Sequence, residues 1–207
     1  GRASDEDTSL TLACLGSRRL NGLSWQQTRR AKLGANEVEV EVAATGLNYR
    51  DVMWALGLLP EEALEAGFVG ATLGLECAGK VVRVGADVSK VAVGDPVIAF
   101  GPSSFGTHLV IEDSWVTAVP PDLPLDQAAT LPVSYFTAQY ALDYLARLGE
   151  GETVLIHGGA GGVGGDGHGV ADMKAFGPRR FWPAHVPTQI VTDGDGGPTS
   201  SSFRRDY

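Results

Sequence analysis

The sequence predicts a mainly β barrel, followed by the opening elements of an α/β domain and an irregular C-terminal tail. Three observations predict this. Short runs rich in β-branched residues recur between Gly and Pro turns across residues 37–112. Aromatic and apolar residues at helical spacing come next and lead into a short apolar strand and a Gly-rich loop. After Gly164 the periodicity stops, and residues 165–207 hold 7 Gly and 4 Pro in 43 positions.

Composition bounds the possibilities. The 207 residues are 43% hydrophobic and 20% charged, enough for a buried core. The 28 glycines and 11 prolines imply many turns. The formal net charge is −9. Basic residues cluster only as short pairs such as Arg29-Arg30 and Arg179-Arg180, which argues against a nucleic-acid partner. No apolar run approaches the ~20 residues of a membrane helix. The polar, acidic opening Gly1 to Asp7 is no signal peptide. Cys14 and Cys77 alone cannot make a four-cysteine zinc site or a disulfide framework, so a cytoplasmic setting is expected.

Residues 1–9 read as a flexible leader. Glu37 to Val42 alternates strictly, which predicts a half-buried strand with valines inward and Glu37, Glu39 and Glu41 on a solvated face. A short helix is expected over Asp51 to Leu59, closed by Pro60. Further strands are predicted at Lys80 to Val84, Val97 to Phe100 and Thr107 to Glu112. Beyond Pro120 a short helix spans Leu125 to Leu131. An amphipathic helix spans Ser134 to Leu148, with Ser134 as N-cap and Gly149-Glu150-Gly151 as its stop. Thr153 to Ile156 reads as a buried strand.

Three segments could carry chemistry. Gly159-x-Gly161-x-x-Gly164 follows that strand and matches the dinucleotide fingerprint, in which glycines let the backbone approach a pyrophosphate. No helix pattern follows it, and no carboxylate lies about 20 residues on to hold a ribose, so a plain glycine turn stands beside the nucleotide loop. Gly46 to Asp51 offers Asn48 and Asp51, as site residues or as helix caps. Gly74 to Gly79 places Glu76 as a solvated or locally paired carboxylate and Cys77 as a small buried hydrophobe. His108 reads as a surface or core histidine, and His157 as packing beside the Gly-rich loop.

Together and in this order, the segments resemble one family. They are GLNYRDVMWALGLLPEEAL at 46–64, GATLGLECAGKVVRVGADV at 70–88, VGDPVIAF at 93–100, AATLPVSYFTAQYAL at 128–142 and GETVLIHGGAGGVG at 151–164. They look like the enoyl reductase domain of type I polyketide and fatty acid synthases, which are medium-chain dehydrogenases/reductases. The resemblance implies a GroES-like catalytic barrel over 10–124, then the start of a Rossmann NADPH-binding domain over 125–164: its first helix, strand and Gly-rich loop. Zinc-dependent relatives carry metal ligands at the positions of Asn48 and Leu75. Neither residue can ligate zinc, so the resemblance is to the zinc-free branch.

The implied reaction is NADPH-dependent reduction of a trans-2-enoyl thioester held on an acyl carrier protein, among neighbouring synthase domains. By resemblance, Tyr49 faces the substrate α-carbon, as proton donor or as a wall of the pocket; a phenol can donate its proton. Asn48 lies against the nicotinamide ribose. Thr137, Gly159, Gly161, Gly162, Val163 and Gly164 meet the cofactor, with a helix-surface hydroxyl as the plain reading of Thr137. No metal and no membrane are implied. The family pattern ends at Gly164, so the tail 165–207 is expected to be irregular, the Rossmann half incomplete, and the activity of this chain weak or absent. Two other readings stand beside it: a free-standing zinc-independent quinone oxidoreductase, and a non-catalytic GroES-like interaction module.

Overall fold

The computed structural model describes residues 8–14, 19–60, 70–149, 154–157, 163, 189–192 and 198–202. The chain divides into two compact units, 1–132 and 133–207.

The first unit is built from β strands. β1 (Thr8–Cys14) and β2 (Leu23–Arg29) pair as an antiparallel ribbon. β3 (Glu37–Thr45), β4 (Glu76–Val84), β5 (Pro96–Phe100), β6 (His108–Glu112) and β7 (Val116–Ala118) form one antiparallel sheet in the order β6-β3-β4-β5-β7. This is a half-barrel: β6 and β7 stand at opposite ends of the strand order. The ribbon reaches it through a bridge between Thr11 and Gly106 and a bond from Leu12 N–H to Phe105 O at 2.8 Å. Register shifts in the β3–β4 pairing, at Glu39/Val40 and Val42/Ala44, bend the sheet.

Alternation puts two cores on the two faces. Val38, Val40, Cys77, Val97 and Ala99 pack with Leu109, Ile111 and Val116 on one. Ala78 and Ile98 meet Val119, Ala128 and Ala129 on the other. The last two alanines belong to or follow α2 (Leu125–Ala128). Burying each valine or isoleucine contributes about 1.5–3 kcal/mol.

Several expectations need correction. Strand β1 begins at Thr8, inside the expected leader. The carboxylate face of β3 is not wholly solvated: Glu39 is 0% exposed. β3 is an interior strand of the sheet, and Arg30 and Arg83 both close over Glu39. The helix after Asn48 is α1 (Tyr49–Ala55), shorter than expected. Gly57 ends it, not Pro60. At φ 70° Gly57 takes a left-handed turn, its N–H bonds Trp54 O and that of Leu58 bonds Met53 O.

In the second stretch α3 (Leu131–Gln139) starts three residues before Ser134, which is therefore interior and not a cap. Pro132 is tolerated in a first turn, where its missing N–H would have no helical partner. The helix continues to Leu145 as a π-helical segment, Tyr140–Leu145. There Ala146 N–H bonds Ala141 O, five residues back, and the Tyr140 and Tyr144 rings stack at 5.1 Å.

Of the strand expected over Thr153 to Ile156, Leu155 and Ile156 are extended, and the tail supplies its neighbour. β8 (Leu155–His157) pairs antiparallel with β10 (Pro198–Ser202), and β10 with β9 (Gln189–Thr192). The tail is thus not entirely irregular. Ile190 and Val191 favour strands.

Candidate active site

The site grows from the junction of β3, α1 and β4. Gly46-Leu47-Asn48 turns the chain from β3 into α1, and Glu76 opens β4. Glu76 is 3% exposed and accepts a hydrogen bond from Asn48 Nδ2 at 2.8 Å. Of the two readings for Glu76, the paired one holds, although the partner lies 28 positions away in sequence. Gly46 makes this closeness possible. A Cβ there would lie 2.3 Å from Glu76 Oε1 and 2.6 Å from the Ala129 carbonyl oxygen. Leu75, the neighbour of Glu76, is buried hydrocarbon.

A second set of bonds fixes the loop before β4. Asp51, 5% exposed, accepts the Gly74 N–H at 2.9 Å through Oδ1. Arg50 donates to the carbonyls of Thr72, at 3.1 Å, and Gly70. Gly74 adopts φ 84°, and a Cβ on it would meet Phe105 N at 2.4 Å. Burial pushes the Asp51 carboxyl up from its ordinary value, against the backbone groups of Gly74 and Asn48 and the Arg50 charge. Its other oxygen, Oδ2, is buried without a hydrogen-bond partner. So Asp51 is held by the loop as a structural residue, with one oxygen unspent.

Tyr49 follows Asn48 at the start of α1 and is 76% exposed. Asn48 and Asp51 line a cavity of about 510 Å³. It is walled by Leu12, Leu23 and Trp25 from the ribbon, Val52 from α1, and Leu73 and Phe105. Sequence reasoning missed this cavity, although Leu10-Thr11-Leu12 and Leu23-Ser24-Trp25 carry the alternation that would have revealed the ribbon.

Cys77 is fully buried, and burial pushes its thiol up to about 12. His108 is half-buried, with Nδ1 at 3.1 Å from Thr107 Oγ1; burial first, then Arg30, lowers its pKa. Thr137 lies on α3, and its hydroxyl donates to Val133 O at 2.6 Å, one turn back. Val163 is 46% exposed. Gly159, Gly161, Gly162 and Gly164 lie outside the described residues. Among the described residues, no helix is long and apolar enough to cross a membrane.

These features define the class. Residues 34–120 match the alcohol dehydrogenase GroES-like domain. The chain is 43% identical over 148 positions to a phenolphthiocerol/phthiocerol polyketide synthase of Mycobacterium tuberculosis, covering 70% of this chain and 6% of that protein. The CurK enoyl reductase crystal structure superposes with a TM-score of 0.75 at 41% identity, over 81% of this chain and 52% of that one. The quinone oxidoreductase of Coxiella burnetii superposes with a TM-score of 0.67 at 26% identity, over 81% and 54%. The chain belongs to the medium-chain dehydrogenase/reductase family, on the branch of the enoyl reductase domains of polyketide synthases. It spans about half the length of the solved enoyl reductase and a small part of the multidomain synthase.

Proposed function

We propose that this chain carries the substrate-facing part of an NADPH-dependent enoyl reductase acting on trans-2-enoyl thioesters of an acyl carrier protein, in the cytoplasm. The observation that carries this reading is the Asn48–Glu76 bond at the foot of α1, in a chain 41% identical to the CurK enoyl reductase. Glu76 holds the Asn48 amide by its nitrogen, which directs the amide oxygen to accept from a ribose hydroxyl. Thr137 and the loop Gly159, Gly161, Gly162, Val163 and Gly164 are assigned to the phosphates. For Thr137 this means turning its hydroxyl from Val133 O to a phosphate oxygen, one acceptor for a charged one.

Bound NADPH supplies a hydride to the substrate β-carbon. As that bond forms, the double-bond electrons move to the α-carbon and the thioester oxygen, where negative charge must be stabilised. The enolate then takes a proton at its α-carbon. Tyr49, exposed beside Asn48, is assigned to this end of the substrate, as proton donor or as the wall that sets the face of protonation.

The test has two arms. The purified 207-residue chain with NADPH and a crotonyl thioester should turn over at or near background. A homologous full-length enoyl reductase carrying residues 8–132 of this chain should reduce the crotonyl thioester and not a quinone. Asn48→Ala should weaken its cofactor binding. Quinone reduction without thioester reduction would favour a quinone oxidoreductase instead.

A further inference from the structure

Residues 8–36 carry Arg18, Arg19, Arg29, Arg30 and Lys32 and no Asp or Glu, although the whole chain has a formal net charge of −9. The segment that forms the β1–β2 ribbon is therefore basic on an acidic protein. Arg30 closes over Glu39 and serves the fold. Arg19, Arg29 and Lys32 are exposed, and among the described residues they form no salt bridge.

These cations flank an apolar opening. Side chains alternate along β2, so Leu23, Trp25, Gln27 and Arg29 share one face. Leu23 and Trp25 wall the cavity of about 510 Å³ between the ribbon and α1, and Arg29 continues their row. At the other end of β2, Arg19 adjoins Leu20, which also lines the cavity. Trp25 and Leu47 line it too, yet are 58% and 88% exposed. Large apolar side chains gathered in water around a concavity mark a surface that something covers. An apolar centre with a charged rim is the anatomy of a protein–protein interface, and Trp and Arg are among its commonest anchors.

The rim sets the sign of the partner, and the cavity sets its kind. Carboxylates complement Arg19, Arg29 and Lys32. Phosphates of a nucleic acid or a lipid surface would also match the sign, but a chain of net charge −9 repels such extended polyanions. A concavity of this size suits a discrete side chain rather than a flat surface. We propose that the ribbon and its cavity dock an acidic protein segment. One or two of its aliphatic side chains enter the cavity, and its flanking carboxylates pair with Arg19, Arg29 and Lys32. This docking does not depend on the reaction proposed above.

The experiment is calorimetric titration of the full chain with a peptide of repeated Glu-Glu-Leu-Leu blocks, at low and at high salt. The peptide should bind, and salt should weaken it about tenfold or more by screening the rim. Exchanging its Glu for Gln should weaken it as much. The combined reversal Arg19→Glu, Arg29→Glu and Lys32→Glu alters only exposed side chains, so the fold should persist while affinity falls about tenfold or more. Trp25→Ala should also lower affinity about tenfold, with the salt dependence retained. Polyglutamate, which brings charge without hydrocarbon, should bind more weakly than the peptide. Equal binding of polyglutamate, equal binding of the Gln peptide, or no binding of the Glu-Leu peptide overturns the proposal. Tighter binding of single-stranded DNA or of phosphatidylglycerol vesicles overturns it as well. Sedimentation of the chain alone completes the test. A monomer supports a separate partner, whereas a dimer that the triple reversal dissociates makes the occupant a second copy and overturns that partner.

Discussion

Asn48 and Glu76 hold each other by a single bond of 2.8 Å between the loop before α1 and the first residue of β4. The bond joins the two segments that carry the family resemblance most densely. It also makes two long-range demands: a buried carboxylate must be satisfied, and the β3–α1 turn must lie against β4.

Gly46 tests the second demand. Its substitution by Ala would force a Cβ to within 2.6 Å of the Ala129 carbonyl, which is backbone and cannot rotate away. We expect Gly46→Ala to cost about 2 kcal/mol through overpacking. Gly70→Ala serves as the comparison. There φ is 59° and nothing lies within 4 Å of a built Cβ, so only backbone strain of about 1 kcal/mol is expected. Denaturant unfolding of the two variants should rank them in that order, and the reverse order would count against the tight junction.

Glu39 predicts an acid-sensitive fold. Burial alone would raise its pKa, but hydrogen bonds from Arg83 and Arg30 outweigh it and hold the carboxyl at about 2, from 4.5. Arg30 Nε meets Oε1 at 2.9 Å, and both arginines bond Oε2. The folded pKa lies below the unfolded one, so this stabilisation is complete above pH 4.5 and is lost as pH falls toward 2. It amounts to about 2–3 kcal/mol, nearer the lower figure because solvent reaches Arg83. Unfolding free energy measured against pH should drop across that window in the wild type. Glu39→Gln should start lower and stay flatter there.

The contrast between these carboxylates shows what the sequence could and could not reveal. The alternation of Glu37 to Val42 located β3 correctly, because period two follows from the pleat. It misassigned Glu39, because a strand's own pattern does not say what covers its polar face. That cover comes from Arg30 and Arg83, 9 and 44 positions away. The same limit hid the partner of Glu76 and the unpaired oxygen of Asp51. The place of Asn48 in a loop that feeds a helix was legible because that signal is local. Thr137 was legible as a helical residue, and its bond to Val133 is the plain alternative that spacing alone already allowed. In the second unit the strands of the tail were not legible, because residues 165–207 carry no sustained periodicity and the pairing of β10 with β8 joins segments far apart in sequence.

The end of α1 gives a local test. Gly57 at φ 70° closes the helix, and its N–H and that of Leu58 satisfy two carbonyls that would otherwise be left over. Gly57→Ala should cost about 1 kcal/mol, and Gly57→Asn less, since Asn tolerates this conformation better. Thermal melts of the two variants separate a backbone effect from lost packing, because a packing effect would penalise the larger Asn more.

The two thiols should behave differently. Cys77 is sealed between the β strands, and burial pushes its pKa up to about 12, against the Ser104 hydrogen bond and with a smaller contribution from Glu76. Cys14, half-buried on the ribbon, offers its S–H to Ala55 O of α1 at 3.8 Å. A thiol reagent attacks the thiolate, so in the folded protein at neutral pH it should label Cys14 and spare Cys77. Cys77 should become labelled only at the rate of global opening, accelerating with denaturant in step with unfolding. Because its folded pKa lies above the unfolded value of 9.0, the same group should also destabilise the fold as pH rises from about 9 toward 12. Labelling of Cys77 as fast as Cys14 in native buffer would mean that the β3–β4–β5 core opens far more readily than its packing implies.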